Sequence, residues 1–296
     1  MFHPQVNIPF QKIENELTRS HKIGLHLLRL DNIDLYAGGN KLFKLKYNLE
    51  AAEKQGFKKI LTFGGAWSNH LAAIASVTDK KLPIIAVVRG EEPEIYSDTL
   101  RYCKEKGVEL HFVSRTNYKN KTDEDFIREL KNKFGDFYNL PEGGSNALAV
   151  KGCGEIINYI PIDFDYICTA VGTGSTLAGI TTALKPHQQA IGFGVLKGAE
   201  YLTHEVSRLI KESGIQNANF RIVGDYHFGG YAKTTPELLS FKSDFEKQSD
   251  IPLDYVYNAK MMYGIFNLIR ENNFKEGSTL VAIHTGGLQG NAGFEK

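Results

Sequence analysis

An α/β protein built on two open, twisted, mostly parallel sheets flanked by helices is the fold class this sequence predicts, and three observations predict it. Short apolar, β-branched runs alternate with amphipathic segments through much of the 296 residues. The turn-rich string PEGGSN at residues 141–146 divides that alternation into two stretches. No Pro- or Ser-rich linker separates the stretches, so the two units are expected to pack closely, with the active site in the cleft between them.

In the first stretch, apolar runs at 60–63, 84–88 and 109–113 predict strands, and helices are expected to begin near Ser68, Tyr96 and Thr122. This βαβαβ pattern gives residues 47–139 the look of a compact small domain, with residues 1–46 and 140–296 forming a larger one. In the second stretch, strands are expected at 166–170, 190–195, 222–223 and 280–284. Helices are expected at 177–184, 202–213 and 260–270. There is no internal repeat or low-complexity tract.

Composition excludes several classes of function. A net charge of +1 and 42% hydrophobic residues suit a soluble globular protein and favour neither nucleic acid nor an anionic membrane as partner. Positive charge gathers locally instead, at Lys41, Lys44 and Lys46, which suits a small anionic ligand. Cys103, Cys153 and Cys168 are too few and too irregularly spaced for a disulfide framework or a metal site, so buried free thiols in a reducing compartment are expected. The N-terminal MFHPQVNIPFQKI has no signal-peptide pattern and no stretch approaches a membrane span, so the cytoplasm is the expected location.

Five segments carry chemistry. In GGNKLFKLK, Asn40 reads as a helix N-cap and Lys41 as a first-turn residue, where the helix dipole favours the neutral amine. A neutral lysine behind Gly38 and Gly39 is a nucleophile suited to a Schiff base with an aldehyde cofactor or carbonyl substrate. In TFGGAWSNH, Ser68 and Asn69 fall where a strand ends and a helix begins, a common ligand position, although both residues are also ordinary caps. In ICTAVGTGSTLAGI, Gly172 and Gly174 allow close backbone approach, and Thr173, Ser175 and Thr176 add hydroxyl donors, the makings of a phosphate cradle. This loop lacks the Gly-Lys-Ser/Thr of a triphosphate site, and Leu177 breaks the dinucleotide pattern. Tyr257, before a helix in VYNAK, and Thr285, in HTGG at the end of the last strand, taken alone read as a boundary aromatic and a strand-end hydroxyl.

Taken together and in order, GGNK, SNH, PEGGSNALAVKG, VGTGSTLAG, FGGYA, VYNAK and HTGG resemble the fold-type II pyridoxal-phosphate enzymes, similar in architecture to the tryptophan synthase β subunit. Within that class the chain resembles the 1-aminocyclopropane-1-carboxylate (ACC) deaminases and D-cysteine desulfhydrases. The resemblance covers almost the whole chain. It implies that pyridoxal 5'-phosphate is bound by the larger domain, with Lys41 in Schiff-base linkage and Lys44 helping to neutralise the phosphate. Gly172, Thr173, Gly174, Ser175 and Thr176 would hold that phosphate, Asn69 would hydrogen-bond the 3-hydroxyl group and Thr285 would face the ring nitrogen. Ser68 and His70 would line the substrate-carboxylate side, Tyr257 and Tyr231 would approach the reacting carbons, and the protein would be a homodimer. No metal is implied.

Within the family the residues divide. Asn258 and Thr285 point toward the desulfhydrases, whereas the wording of TGSTLAG is closer to the deaminases. Phe43 stands where relatives commonly carry arginine, and Lys46 where they carry an acid. With a neutral hydroxyl at the ring nitrogen and no adjacent carboxylate, β-elimination from D-cysteine or a related D-amino acid to pyruvate, ammonia and sulfide is the expected reaction. The alternatives are ACC ring opening to 2-oxobutanoate and ammonia, and a catalytically silent cofactor-binding regulator.

Overall fold

Strand residues that alternate between two cores organise the larger sheet. In the last strand, Leu280 and Ala282 enter one hydrophobic cluster while Val281 and Ile283 enter the other, so both faces of the sheet are covered by helices. The computed structural model describes residues 7–36, 38–77, 82–215 and 218–294. The first six residues of the N-terminal segment judged above therefore lie outside the described residues.

Among the described residues ten strands form two sheets: β1 (Phe10–Ile13), β2 (Gly24–Arg29), β3 (Ile60–Gly64), β4 (Ile84–Arg89), β5 (Glu109–Val113), β6 (Tyr138–Leu140), β7 (Tyr166–Val171), β8 (Gln189–Gly194), β9 (Phe220–Val223) and β10 (Thr279–His284). The six-stranded sheet runs β1-β2-β10-β7-β8-β9 and the four-stranded sheet β5-β4-β3-β6. Every pairing is parallel except the edge pair β1–β2. The helices are α1 (Glu16–Ser20), α2 (Asn40–Lys54), α3 (Asn69–Val77), α4 (Asp98–Glu105), α5 (Arg115–Tyr118), α6 (Glu124–Phe134), α7 (Ala147–Gly154), α8 (Ser175–Thr182), α9 (Tyr201–Glu212), α10 (Pro236–Ser249) and α11 (Asn258–Arg270).

Helices α2, α7, α8 and α9 cover one face of the large sheet through Phe43, Val150, Ile180 and Val206, among others. Helices α10 and α11 cover the other through Leu238, Phe245, Met261 and Ile265. Helix α2 passes close to α7, because Gly152 faces the Phe43 carbonyl and a Cβ at that position would sit 1.9 Å from its oxygen. The division expected at residue 46 falls inside α2. Leu42 and Phe43 join the core of the large sheet, while Leu45 and Ala52 join that of the small one.

Phe43 is buried in that core, edge-on to Tyr159, and stands away from the cleft. Lys46 pairs with Glu155 at 2.8 Å. The three cysteines are free and buried.

Candidate active site

The strand ends of both sheets open onto one cleft of about 930 Å³, the position where open parallel sheets bind ligands. Lys41 reaches it from the first turn of α2. The expected cap is corrected here, since Gly39 occupies the cap position with φ 82° and Asn40 is the first helical residue. A side chain at Gly39 is barred twice, by that left-handed backbone and by the Thr285 carbonyl oxygen, which a Cβ would approach to 2.0 Å. The Asn40 backbone N–H donates to the same carbonyl at 3.2 Å, tying α2 to the end of β10. Relieved of capping, the Asn40 side chain donates to Thr176 Oγ1 at 2.8 Å and accepts from Lys41 Nζ at 3.0 Å.

Burial first, and the neighbouring Lys44 charge second, lower the Lys41 pKa to about 7. Neither cause was the one invoked from sequence, which was the helix dipole. Lys44 is itself buried, its pKa lowered by desolvation, and its Nζ lies 3.2 Å from Thr173 Oγ1. That contact brings the second lysine to the loop after β7. There Gly174 takes φ 87° and α8 begins at Ser175. Ser175 Oγ is fully buried without a hydrogen-bond partner, an unusual condition for a hydroxyl unless a ligand completes it. Loop amides, two hydroxyls and an ammonium make a cradle suited to a phosphate.

The loop after β3 supplies the facing wall. Ser68 Oγ accepts from the Leu71 backbone N–H at 3.3 Å, so it caps α3 as well as lining the cleft. Asn69 is the first residue of α3, one place later than expected for the helix start. Its Oδ1 accepts from Gln289 Nε2, and Gln289 Oε1 in turn accepts from Thr99 Oγ1 at 2.7 Å. With Oδ1 engaged, the Asn69 amide nitrogen is the donor left for a ligand.

Thr62 Oγ1 donates to the Leu140 carbonyl at 3.0 Å, which leaves His70 Nε2 as the donor in its 2.8 Å contact with Thr62. His70 Nδ1 is then a buried acceptor with no partner. Burial, with Lys41 and Lys44 nearby, lowers the His70 pKa to about 3 and keeps the ring neutral. In this tautomer His70 offers a lone pair to a ligand donor and no proton to a carboxylate.

Tyr257 and Tyr231 meet edge-on above the cradle, ring centres 6.1 Å apart. The Tyr257 ring lies over Gly172, where a Cβ would come within 3.2 Å of it. Burial, then Tyr231, raises the Tyr257 pKa well above that of an ordinary phenol, so the hydroxyl stays protonated.

Thr285 closes the cleft at the end of β10, buried, with Oγ1 3.4 Å from Asn258 Oδ1. Sequence reasoning expected no carboxylate beside it; Thr285 contacts Asn258, and behind that asparagine stands Asp254, which the sequence did not announce. Asp254 lines the cleft, Oδ2 accepting from both the Asn258 backbone and its side-chain amide. Oδ1 accepts from the Val256 and Tyr257 backbones at 3.0 and 2.7 Å. The carboxylate therefore caps the turn into α11, and Asn258 separates it from Thr285. Asp254, Gln289, Arg89 and Arg115 all went unseen in the sequence, although the last two follow predicted strands.

All of the site residues expected from sequence, from Lys41 to Thr285, line the cleft, except that Ser175 lies behind it at the start of α8. Among the described residues no group of three or more potential ligands is arranged for a metal ion, and no helix is long and apolar enough to cross a membrane.

Comparison with known proteins gives the family. The family described as pyridoxal-phosphate dependent enzymes matches residues 8–286. A putative ACC deaminase of Pyrococcus horikoshii is 32% identical over 95% of this chain and 90% of its own. A mitochondrial bifunctional D-cysteine desulfhydrase/ACC deaminase of Arabidopsis thaliana is 30% identical over 90% and 73%. A D-cysteine desulfhydrase of Yersinia enterocolitica is 26% identical over 89% and 86%. Among solved structures, an ACC deaminase homologue superposes with a TM-score of 0.82 at 28% identity, covering 97% of this chain and 91% of its own.

Proposed function

The chain belongs to the pyridoxal-phosphate dependent enzymes of fold-type II, and from that premise we propose that it catalyses β-elimination from a small β-substituted D-amino acid. D-Cysteine is the reference substrate, and the products are pyruvate, ammonia and sulfide. The residues present fit the cofactor: the Thr173 hydroxyl, the Gly174 backbone and Lys44 suit its phosphate, and a lysine with a pKa of about 7 suits its aldehyde.

The observation that carries the choice of reaction is the neutral chain behind Thr285. A hydroxyl backed by an asparagine amide stabilises a protonated pyridine less than a carboxylate in direct contact would, and the Asp254 lone pairs are occupied by four donors. Pyridoxal phosphate, when bound, supplies the electron sink that acidifies the substrate's α-C–H bond. Lys41 Nζ, neutral above pH about 7, is the base that takes this proton. Ser68 and the start of α3 would orient the substrate carboxylate, and the Asn69 amide would help hold the cofactor by donating to its phenolic oxygen. Tyr257, which keeps its proton, offers it as a hydrogen bond to the departing group. The same high pKa makes Tyr257 a poor nucleophile, which weighs against a ring opening that begins by attack on ACC.

Side-by-side kcat/KM values for D-cysteine and ACC test the reading. D-Cysteine is expected to be favoured by about a hundredfold or more, the size of a lost transition-state charge partner. Faster turnover of ACC overturns it and makes the deaminase-like phosphate loop the better guide.

A further inference from the structure

Each strand of the small sheet delivers something to the cleft at its C-terminal end. In sheet order, β5 leads to Arg115, β4 ends at Arg89, β3 leads to Ser68 and its neighbours, and β6 leads to Glu142. The register pairs Arg89 with Val113, two residues before Arg115, so the two arginines rise from adjacent strands. Strands lie about 4.8 Å apart. The two arginines therefore leave the backbone roughly one and two strand spacings, about 5 to 10 Å, to the side of β3, and the Arg89 guanidinium reaches back to Gly65 in the loop that receives the substrate carboxylate.

Both arginines are exposed at the mouth, and among the described residues neither makes an ion pair. Arg89 rests against Gly65 and over the Tyr118 ring, 5.8 Å from its centre. Glu142, from the far strand of the sheet, reaches the same Tyr118, whose hydroxyl donates to it at 2.8 Å, and its charge is answered by Lys121 at 3.4 Å. Across the cleft, the Tyr231 phenol has its pKa raised chiefly by burial, and the Arg89 charge acts on it in the opposite sense. The mouth is thus an open, positively charged lobe continuous with the reaction site. D-Cysteine has no second anionic group with which to fill it.

We propose that Arg89 and Arg115 form an anion subsite, and that the preferred substrate is a small amino acid whose β-substituent carries a phosphate, sulfonate or carboxylate. The proposal rests on the elimination reading and sharpens its substrate class. Planar guanidiniums without carboxylate partners bind such oxyanions through paired N–H donors. With O-phospho-D-serine, the α-proton goes to Lys41 and the Cβ–O bond breaks, phosphate leaving with the electron pair. Water then converts the released enamine to pyruvate and ammonia.

Two measurements on the holoenzyme separate the subsite from the reaction. Calorimetric titration with 3-phosphoglycerate and with glycerate, at one ionic strength, reads binding without turnover, since neither has an amine. The phosphorylated acid is expected to bind about tenfold or more tighter, an advantage lost in the double variant Arg89→Gln/Arg115→Gln and partly kept in Arg89→Lys/Arg115→Lys. The ratio of kcat/KM for O-phospho-D-serine over β-chloro-D-alanine is expected to fall by about tenfold or more in the glutamine variant. Equal binding of the two acids, or an advantage that survives the glutamine variant, overturns the subsite even if elimination is confirmed. Selective binding of 3-phosphoglycerate with no elimination from either amino acid leaves the subsite standing and sinks the reaction.

Discussion

Lys41 shows how few groups tune a nucleophile. Burial and one neighbouring ammonium lower its pKa to about 7, while His70, at about 3, stays neutral throughout the working range. Below pH 7 Lys41 is therefore protonated, and the rate at which apoenzyme captures pyridoxal phosphate is expected to rise roughly tenfold per pH unit, levelling above pH 7. Stopped-flow absorbance across pH 5 to 9 checks this, and a flat profile removes Lys41 as the titrating amine. Lys41→Ala is expected to abolish both the absorption band of covalently held cofactor and turnover. Gln289 acts at one remove, by fixing which atom Asn69 presents. Gln289→Leu frees that amide and is expected to weaken cofactor binding by roughly twofold to tenfold, the value of one hydrogen bond, and to shift the pH titration of the cofactor band. A spectrum and affinity identical to wild type would show that Asn69 holds its orientation unaided. Asn69 was legible in the sequence but its link to Gln289 was not, because the two meet from 220 residues apart.

At the scale of elements, the cradle is chiefly backbone. Gly174 needs its left-handed conformation, and a Cβ there would press to 3.1 Å against Val206. Gly174→Val is expected to cost far more cofactor affinity than Ser175→Ala, which removes one hydrogen bond of roughly 0.5 to 3 kcal/mol. Equilibrium dialysis of the two apo variants decides, and equal losses would assign the binding to the hydroxyls. The sequence announced this element and the parallel strands around it because β-branched runs ending in glycine read clearly; the strand at Glu109–Val113 falls where expected and its neighbours within about two residues. Strand β2 was missed because GLHLLR is leucine-rich and lacks β-branched residues, and β6 because it is three residues long. The Asn40 cap was misread because Gly39 takes the cap position without a side-chain hydrogen bond, and the asparagine one place on turns to Thr176 instead. Asp254 escaped notice because its partners are mostly backbone amides, which no side-chain pattern marks.

For the whole molecule, a cleft walled by both sheets predicts that cofactor stabilises the two together. Saturation at a hundred times Kd contributes about 2.7 kcal/mol, so a single melting transition should move up by roughly 4 °C on loading. Calorimetry that shows two transitions, only one of which responds, would separate the sheets energetically. Helix α2 makes that separation hard to picture. Its first turn carries Lys41 and Lys44 to the cradle, and Leu45 and Ala52 further along are set in the core of the small sheet. It behaves as a beam clamped at both ends, so any rocking of the small sheet over a substrate is geared directly to the reactive amine. The enzyme's colour then becomes a strain gauge: a bulkier residue at Ala52, remote from the cleft, should shift the cofactor band by tilting the beam.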